Sequence, residues 1–215
     1  MNGTEVIEQC SDAWFEARLG KATASRFKDV LAKLKSGTEP ATRKNYRAQL
    51  VVERLTGQKA ERFTTAAMDW GVETESLARL SYTLATTNLV DEVGFIQHAF
   101  LQAGASPDGL IGLDGTLEIK CRLTANHIET LKLGHMPPEH TAQVQGQLWL
   151  TGRNWCDFVS FDPTLPENAQ LFIERIARDD DYIKMLELEV ALFLDEVEAD
   201  VEFLQQYKLS RTTES

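Results

Sequence analysis

Ser106-Pro107-Asp108-Gly109, eight further residues, then Glu118-Ile119-Lys120, is the stretch on which the reading of this sequence turns. Thr116–Cys121 is short, apolar in alternation and closed by no helix signal, so it reads as a strand. Side chains alternate along a strand, which puts Glu118 and Lys120 on one face and turns Ile119 into the core. Gly109–Leu113 reads as the strand before it, so Asp108 stands at the start of a neighbouring strand and can join them. Two carboxylates and one amine at one spot suit Mg²⁺, a hard cation that takes oxygen ligands and keeps several waters. The lysine can orient or help deprotonate a water, or neutralise charge developing on phosphoryl oxygens. These are the parts for metal-assisted phosphodiester hydrolysis.

The connection between the two strands sets a geometric condition. Asp114-Gly115 predicts a two-residue type I′ turn, because both positions of that turn need positive φ. Such a turn pairs Ile111 with Glu118 and Gly109 with Lys120, which leaves Asp108 opposite Cys121 and facing away from Glu118. The site therefore requires a bulge, a loop longer than two residues, or an Asp108 that lies before its strand begins. An acid-x-Lys triplet alone is an ordinary solvated strand face, and Pro-Asp-Gly alone is an ordinary turn. The two together at hairpin spacing point to chemistry.

Around this centre the chain alternates helical and extended patterns. Phe27, Val30, Leu31 and Leu34 follow helical spacing after Thr23-Ala24-Ser25, a capping region. A second helix runs from Pro40 towards Gly57, and a third carries the stripe Trp70, Leu77, Leu80 and Leu84. Glu75 lies off that stripe. Gly94–His98 reads as a further short strand. Helices over about Thr124–Leu133 and Pro138–Thr151 follow, then strands at Trp155–Phe161 and Gln170–Ile176. A long helix opens at Asp179–Asp181 and carries a core stripe of Ile183, Leu186, Val190, Phe193, Val197, Val201 and Leu204. The fold class is α/β, a mixed central sheet flanked by helices, and residues 1–215 are expected to form one domain. Gln143 and Gln145 fall on a helix, where neutral amides can hold a water or phosphate.

Bulk composition sets weaker bounds. With 43% hydrophobic and 26% charged residues the chain is an ordinary globular one. No segment is apolar enough to span a bilayer and no signal pattern opens the chain, so no membrane association and a cytosolic location are expected. Cys10, Cys121 and Cys156 are too few and too scattered for a zinc knuckle or disulfide framework, and each is expected to be a free, structural thiol. Net charge is −11, but residues 1–67 carry 12 Lys and Arg against 8 Asp and Glu. Arg43, Lys44 and Arg47 cluster there, most simply as a solvated helix face. Charge permits a polyanionic partner without demonstrating one.

Five blocks, in order, resemble the phage lambda exonuclease or alkaline exonuclease family of viral recombination nucleases, within the PD-(D/E)xK superfamily. They are Trp14 to Gly20 with Thr23-Ala24-Ser25, Trp70-Gly71 with Glu75, Ser106 to Leu110, Leu117 to Cys121, and Ala142 to Gln145 with Trp149. The resemblance spans roughly residues 14–160 and implies a restriction-endonuclease-like core. It implies that Asp108, Glu118 and the main-chain carbonyl of Ile119 bind Mg²⁺, two ions being expected and Mn²⁺ able to substitute. Lys120 would assist the attacking water, and Glu75 and Gln143 would complete the site. Arg18, Ser25 and Ser106 match a pocket for the 5′-phosphate of the digested strand, chemically apt because a guanidinium fork and two hydroxyls suit a terminal phosphate.

The implied activity is 5′-to-3′ digestion of one strand of double-stranded DNA from its ends, leaving a 3′ tail for a single-strand annealing protein. The implied assembly is a ring-shaped homotrimer, and the implied setting a phage or prophage in a bacterial cytosol. One departure is His140, at a position where the best-known relative carries an aromatic hydroxyl. A sequence-specific endonuclease on the same core is the nearest rival, and the Arg18/Ser25/Ser106 set argues for a strand end instead. A non-catalytic DNA-end-binding scaffold is disfavoured by the complete Asp108/Glu118/Lys120 set. An iron–sulfur nuclease would need four clustered cysteines.

Overall fold

Two sheets and seven helices carry the chain, seen in a computed structural model that describes residues 9, 11–33, 38–59, 66–121 and 123–207, without the side chains of residues 66–69, 71 and 72. The strands are β1 (Ala22–Thr23), β2 (Val90–Asp91), β3 (Ile96–Gln97), β4 (Ala103–Ala105), β5 (Gly109–Ile111), β6 (Gly115–Cys121), β7 (Trp155–Phe161) and β8 (Leu171–Ala177). The helices are α1 (Asp12–Arg18), α2 (Phe27–Val30), α3 (Ala41–Thr56), α4 (Ala66–Thr86), α5 (Thr124–Leu133), α6 (Thr141–Thr151) and α7 (Asp180–Gln206). The main sheet runs β2-β5-β6-β7-β8, with β6 and β7 parallel and the other pairs antiparallel. A small sheet, β1-β4-β3, stands beside it.

The main sheet is covered on both faces, which is why β6 is buried along most of its length. Leu117 and Ile119 pack with Val159 and Phe161 against Ala78 and Tyr82 of α4. Cys156 and Phe158 face the other way, against Val144 and Leu148 of α6 and Ile183 of α7. A separate core joins α2, α3 and α7 through Phe27, Tyr46, Leu50, Leu186, Val190 and Phe193.

The β5–β6 connection departs from the two-residue turn. Gly109 pairs with Leu117, Leu110 with Thr116, and Ile111 with Gly115, so three residues, 112–114, form the loop. Gly112 supplies the positive φ, at 51°, while Gly115 already belongs to β6. Gly115 is glycine for a different reason: a Cβ there would sit 2.3 Å from the Trp155 ring. The register shifts by an odd number of residues relative to the predicted turn, and an odd shift exchanges the faces. Asp108 thereby comes beside Glu118.

Several other expectations change. On α4 the buried positions are Thr74, Ala78 and Tyr82, whereas Leu77, Leu80 and Leu84 are 45%, 55% and 74% exposed and Trp70 is 36% exposed. The sheet face below α4 is already filled by Leu117, Ile119, Val159 and Phe161. It leaves room for an alanine and for a tyrosine whose hydroxyl donates to buried Asp157 at 2.6 Å. The first predicted helix shrinks to a 3-10 turn over Ala24–Arg26 followed by α2, and Leu34 lies outside the described residues. Thr23 and Ser25 make no side-chain cap to it. The strand expected over Gly94–His98 is only β3, and the helix from Pro138 divides into a 3-10 turn, Pro138–His140, and α6. Leu204 leaves the core stripe of α7 and is exposed, while the six other predicted residues are buried.

Candidate active site

The cleft is assembled from five elements that share little sequence proximity. On β6, Glu118 and Lys120 point to the same side, and the Lys120 ammonium lies 2.5 Å from Glu118 Oε1. Glu118 is only 1% exposed, which removes the solvated-strand-face alternative. Asp108 lies just before β5, where its N–H donates to the Leu117 carbonyl at 3.0 Å. Its Oδ2 accepts the Ile119 N–H at 2.6 Å. One main-chain group between Glu118 and Lys120 therefore fixes the carboxylate that sequence spacing alone left unplaced.

Helix α6 closes the cleft from the other side. Gln143 Nε2 donates to Glu118 Oε1 at 2.6 Å, and Gln147 Nε2 donates to Glu118 Oε2. Gln145 is turned away: its amide donates to the Ala177 carbonyl and accepts the Asp179 N–H, tying β8 to the start of α7. Gln147 is thus a site residue that the sequence reading missed. Its signal was available, since positions four apart share a helix face and positions two apart do not. Glu75 of α4 also lines the cleft, held by Arg79 at 2.7 Å, while Arg79 also pairs with Glu92.

Helix α1 brings a further cation to the cleft. Arg18, the last residue of α1, donates to Ser106 Oγ at 3.2 Å, and Trp14 Nε1 donates to the same oxygen at 2.8 Å. The Arg18 guanidinium lies 4.0 Å over the Trp14 ring, as the four-residue spacing on α1 permits. Ser25 is exposed and lines the same space, its Oγ 3.4 Å from Thr23 Oγ1. All nine predicted site residues, Arg18, Ser25, Glu75, Ser106, Asp108, Glu118, Ile119, Lys120 and Gln143, line one cleft of about 230 Å³. Trp14 and Gln147 line it with them. A second lobe of about 230 Å³ continues past Ser25, Lys120 and Gln143 to Lys28, Glu139 and His140. There the His140 ring packs against Phe158, with centroids 5.3 Å apart.

Three carboxylates face one another in this confined space. Burial, and then the nearby Glu118 and Glu75, push the Asp108 carboxyl well above its ordinary value, against the opposing pull of Lys120 and the Ile119 N–H. Burial also raises Glu75; Arg79 opposes it, and Glu118 and Glu92 add to it. Among the described residues no three His, Cys, Asp or Glu side chains are arranged to hold a metal ion by themselves. The oxygen donors that could hold a cation here are the carboxylates of Asp108 and Glu118, with Glu75 paired to Arg79. Crowded acids that lack enough counter-charge are relieved by a divalent cation, and oxygen donors with room for waters suit Mg²⁺.

Comparison with known proteins adds an independent line. The model of the YqaJ-like viral recombinase domain matches residues 13–154. The crystal structure of the alkaline exonuclease LHK-Exo from Laribacter hongkongensis is similar at 48% identity and TM-score 0.85, covering 91% of this chain and 97% of that one. LHK-Exo crystallised with dAMP is similar to the same degree. A phage-related exonuclease from Haemophilus somnus 129PT shares the fold at 16% identity and TM-score 0.66, over 86% of this chain and 96% of that one. No curated protein matches the sequence. The mixed sheet with flanking helices is the restriction-endonuclease-like fold of these relatives, and the chain belongs to the YqaJ-like viral recombinase family.

Proposed function

We propose that the chain is a Mg²⁺-dependent exonuclease that digests one strand of duplex DNA from its 5′ end. The observation that carries this reading is the single cleft that Asp108, Glu118 and Lys120 line together with Arg18, Ser25 and Ser106. Asp108, Glu118 and the Ile119 carbonyl would hold the cation, and Mn²⁺ would serve in its place. A bound divalent cation supplies charge neutralisation at the phosphoryl group and lowers the pKa of water.

The chain's own residues do the rest. Gln143 and Gln147 each donate to one oxygen of Glu118, so the carboxylate is oriented before substrate arrives. Lys120, its ammonium 2.5 Å from Glu118 Oε1, orients the attacking water by donating a hydrogen bond to it, and takes the water's proton only in its neutral amine form. Arg18 and Ser106, already in contact with each other, take the terminal phosphate, and Ser25 adds a hydroxyl. A guanidinium fork grips a terminal phosphomonoester with two charge-assisted hydrogen bonds, which fixes how far the strand enters. Chain length into the cleft then sets release of single nucleotides. The dAMP complex of the relative at 48% identity supports a mononucleotide product.

A ring-shaped homotrimer and a single-strand annealing protein as receiver of the 3′ tail complete the proposal. The exposed Leu77, Leu80 and Leu84 of α4 and Met185, Leu188 and Leu192 of α7 support an assembly that shields apolar surface. No helix among the described residues is long and apolar enough to cross a membrane. The test is digestion of linear duplex with 5′-phosphate or 5′-hydroxyl ends, beside a covalently closed circle, in Mg²⁺ or EDTA. Mononucleotides from linear DNA only, faster with 5′-phosphate and only with Mg²⁺, are expected. Discrete fragments from the circle would make it an endonuclease, and cleavage of neither would leave a DNA-end-binding protein.

A further inference from the structure

We propose that Gln147 is a positioning residue that commits one oxygen of Glu118 and thereby sets which divalent cation the site accepts. The inference rests on the assignment of Glu118 as a cation ligand made above.

The two oxygens of Glu118 have different surroundings. Oε1 is reached by Gln143 at 2.6 Å and by Lys120 at 2.5 Å. Lys120 and Gln143 are both partly exposed, so each can withdraw from Oε1 when a cation arrives. Oε2 is held by the Nε2 of Gln147, which is 1% exposed and fixed on α6 in the packed interior. Because an ionised carboxylate only accepts, the amide must present its nitrogen to Glu118, and that determines which way Gln147 is turned. Its own Oε1 is then buried and accepts no hydrogen bond from the described residues. A methionine would fill the same space without stranding a carbonyl. The amide is therefore explained by what its nitrogen does to Glu118.

The consequence is a carboxylate that offers one oxygen. Mg²⁺ demands near-octahedral geometry and takes one oxygen per carboxylate, whereas Ca²⁺ takes six to eight oxygens and accepts both oxygens of one carboxylate. With Oε2 committed, Glu118 suits the smaller ion and withholds the contact that the larger one would gain.

The experiment follows free Mn²⁺ by electron paramagnetic resonance as it is bound by the full chain, then displaced by Mg²⁺ or by Ca²⁺. In Gln147→Met the affinity of Ca²⁺ relative to Mg²⁺ is expected to rise about tenfold, the scale on which outer partners of metal ligands act. Ca²⁺ should inhibit digestion at correspondingly lower concentration. A folded Gln147→Met with an unchanged cation ratio overturns the proposal while leaving the cation site standing. If that variant does not fold, Gln147→Leu also removes the donor, and an unchanged ratio there overturns it equally. Wild-type chain that binds no Mn²⁺, or an Asp108→Ala variant that binds it as wild type does, overturns the cation site itself and the proposal with it.

Discussion

Asp108 is held by the Ile119 N–H on one side and crowded by Glu118 and Glu75 on the other, so its charge state couples fold to chemistry. Its carboxyl is raised in the folded protein, first by burial. A raised folded value means that the stability the proton confers is present below the unfolded carboxylate pKa and is lost as pH rises through the raised one. In EDTA at pH 8 Asp108→Asn is therefore expected to melt above the wild type, with the gap closing towards pH 4. Mg²⁺ should raise the melting temperature of the wild type and leave that of the variant unchanged; thermal melts in EDTA and Mg²⁺ check both. Lys120→Ala is expected to lower hydrolysis by about 10²–10⁴-fold while gel-shift affinity for duplex ends in Ca²⁺ holds, and equal loss of both would reject its assigned role. Arg18→Ala is expected to reduce the preference for 5′-phosphorylated ends by about ten- to hundredfold, the worth of a charged hydrogen bond. Competition between phosphorylated and hydroxyl ends reads it directly. Strand alternation made Glu118 and Lys120 legible in the sequence as a pair. Gln147 and Trp14 were hidden because each acts by holding a named residue, Glu118 or Ser106, and carries no reactive group of its own.

Helices α3 and α7 show the same logic one level up. Arg43 and Arg47, which in sequence look like a basic face, are spent on acids: both reach Glu39 and Glu196, and Arg47 also reaches Asp200. Arg54 pairs with Glu198 further along. Hydrogen bonding to Arg43, ahead of the opposing cost of burial, holds the Glu196 carboxyl below its ordinary value. A depressed folded value contributes stability above the unfolded Glu pKa, and that stability is lost as pH falls through the depressed one. Glu196→Gln is expected to cost about 1 kcal/mol at pH 7, as partly exposed pairs do, and to cost nothing once the pH is below that lower value. Urea titrations across this range, repeated in high salt, measure it. Elements with their own signals were readable before the structure: α3 between Pro40 and Gly57, α5 before Gly134, β7 over its full length. The two- and three-residue strands β1, β2 and β4 were not, because pairing with distant partners makes them strands and their own residues do not. The outward turn of Leu77, Leu80 and Leu84 escaped for a related reason, since the space beneath a helix is set by the sheet it meets.

At the scale of the molecule, a net charge of −11 has to be reconciled with a polyanionic substrate. The acidic face of α7 answers part of it, because Arg43, Arg47 and Arg54 of α3 are held there in ion pairs. Among the described residues the cations that line the cleft are few: Arg18 and Lys120 in the first lobe and Lys28, exposed on α2, in the second. Phosphates respond to the cations within a Debye length, about 8 Å at physiological salt, and not to the distant total. The two lobes share Ser25, Lys120 and Gln143, so under the proposed function a strand whose end is held by Arg18 would run past Lys120 towards Lys28. A short cationic track of this kind gives a shallow dependence of binding on salt, with each neutralised phosphate adding about 0.9 to the slope for duplex DNA. Lys28→Ala is expected to lower that slope by about 1 and to weaken binding evenly across sequences. Arg47→Ala, though it removes the same charge, is expected to leave slope and affinity unchanged and to lower the melting temperature instead. Fluorescence anisotropy with labelled duplex from 50 to 200 mM salt separates the two, and a slope change in Arg47→Ala equal to that in Lys28→Ala would show that overall charge, and not the track, governs binding.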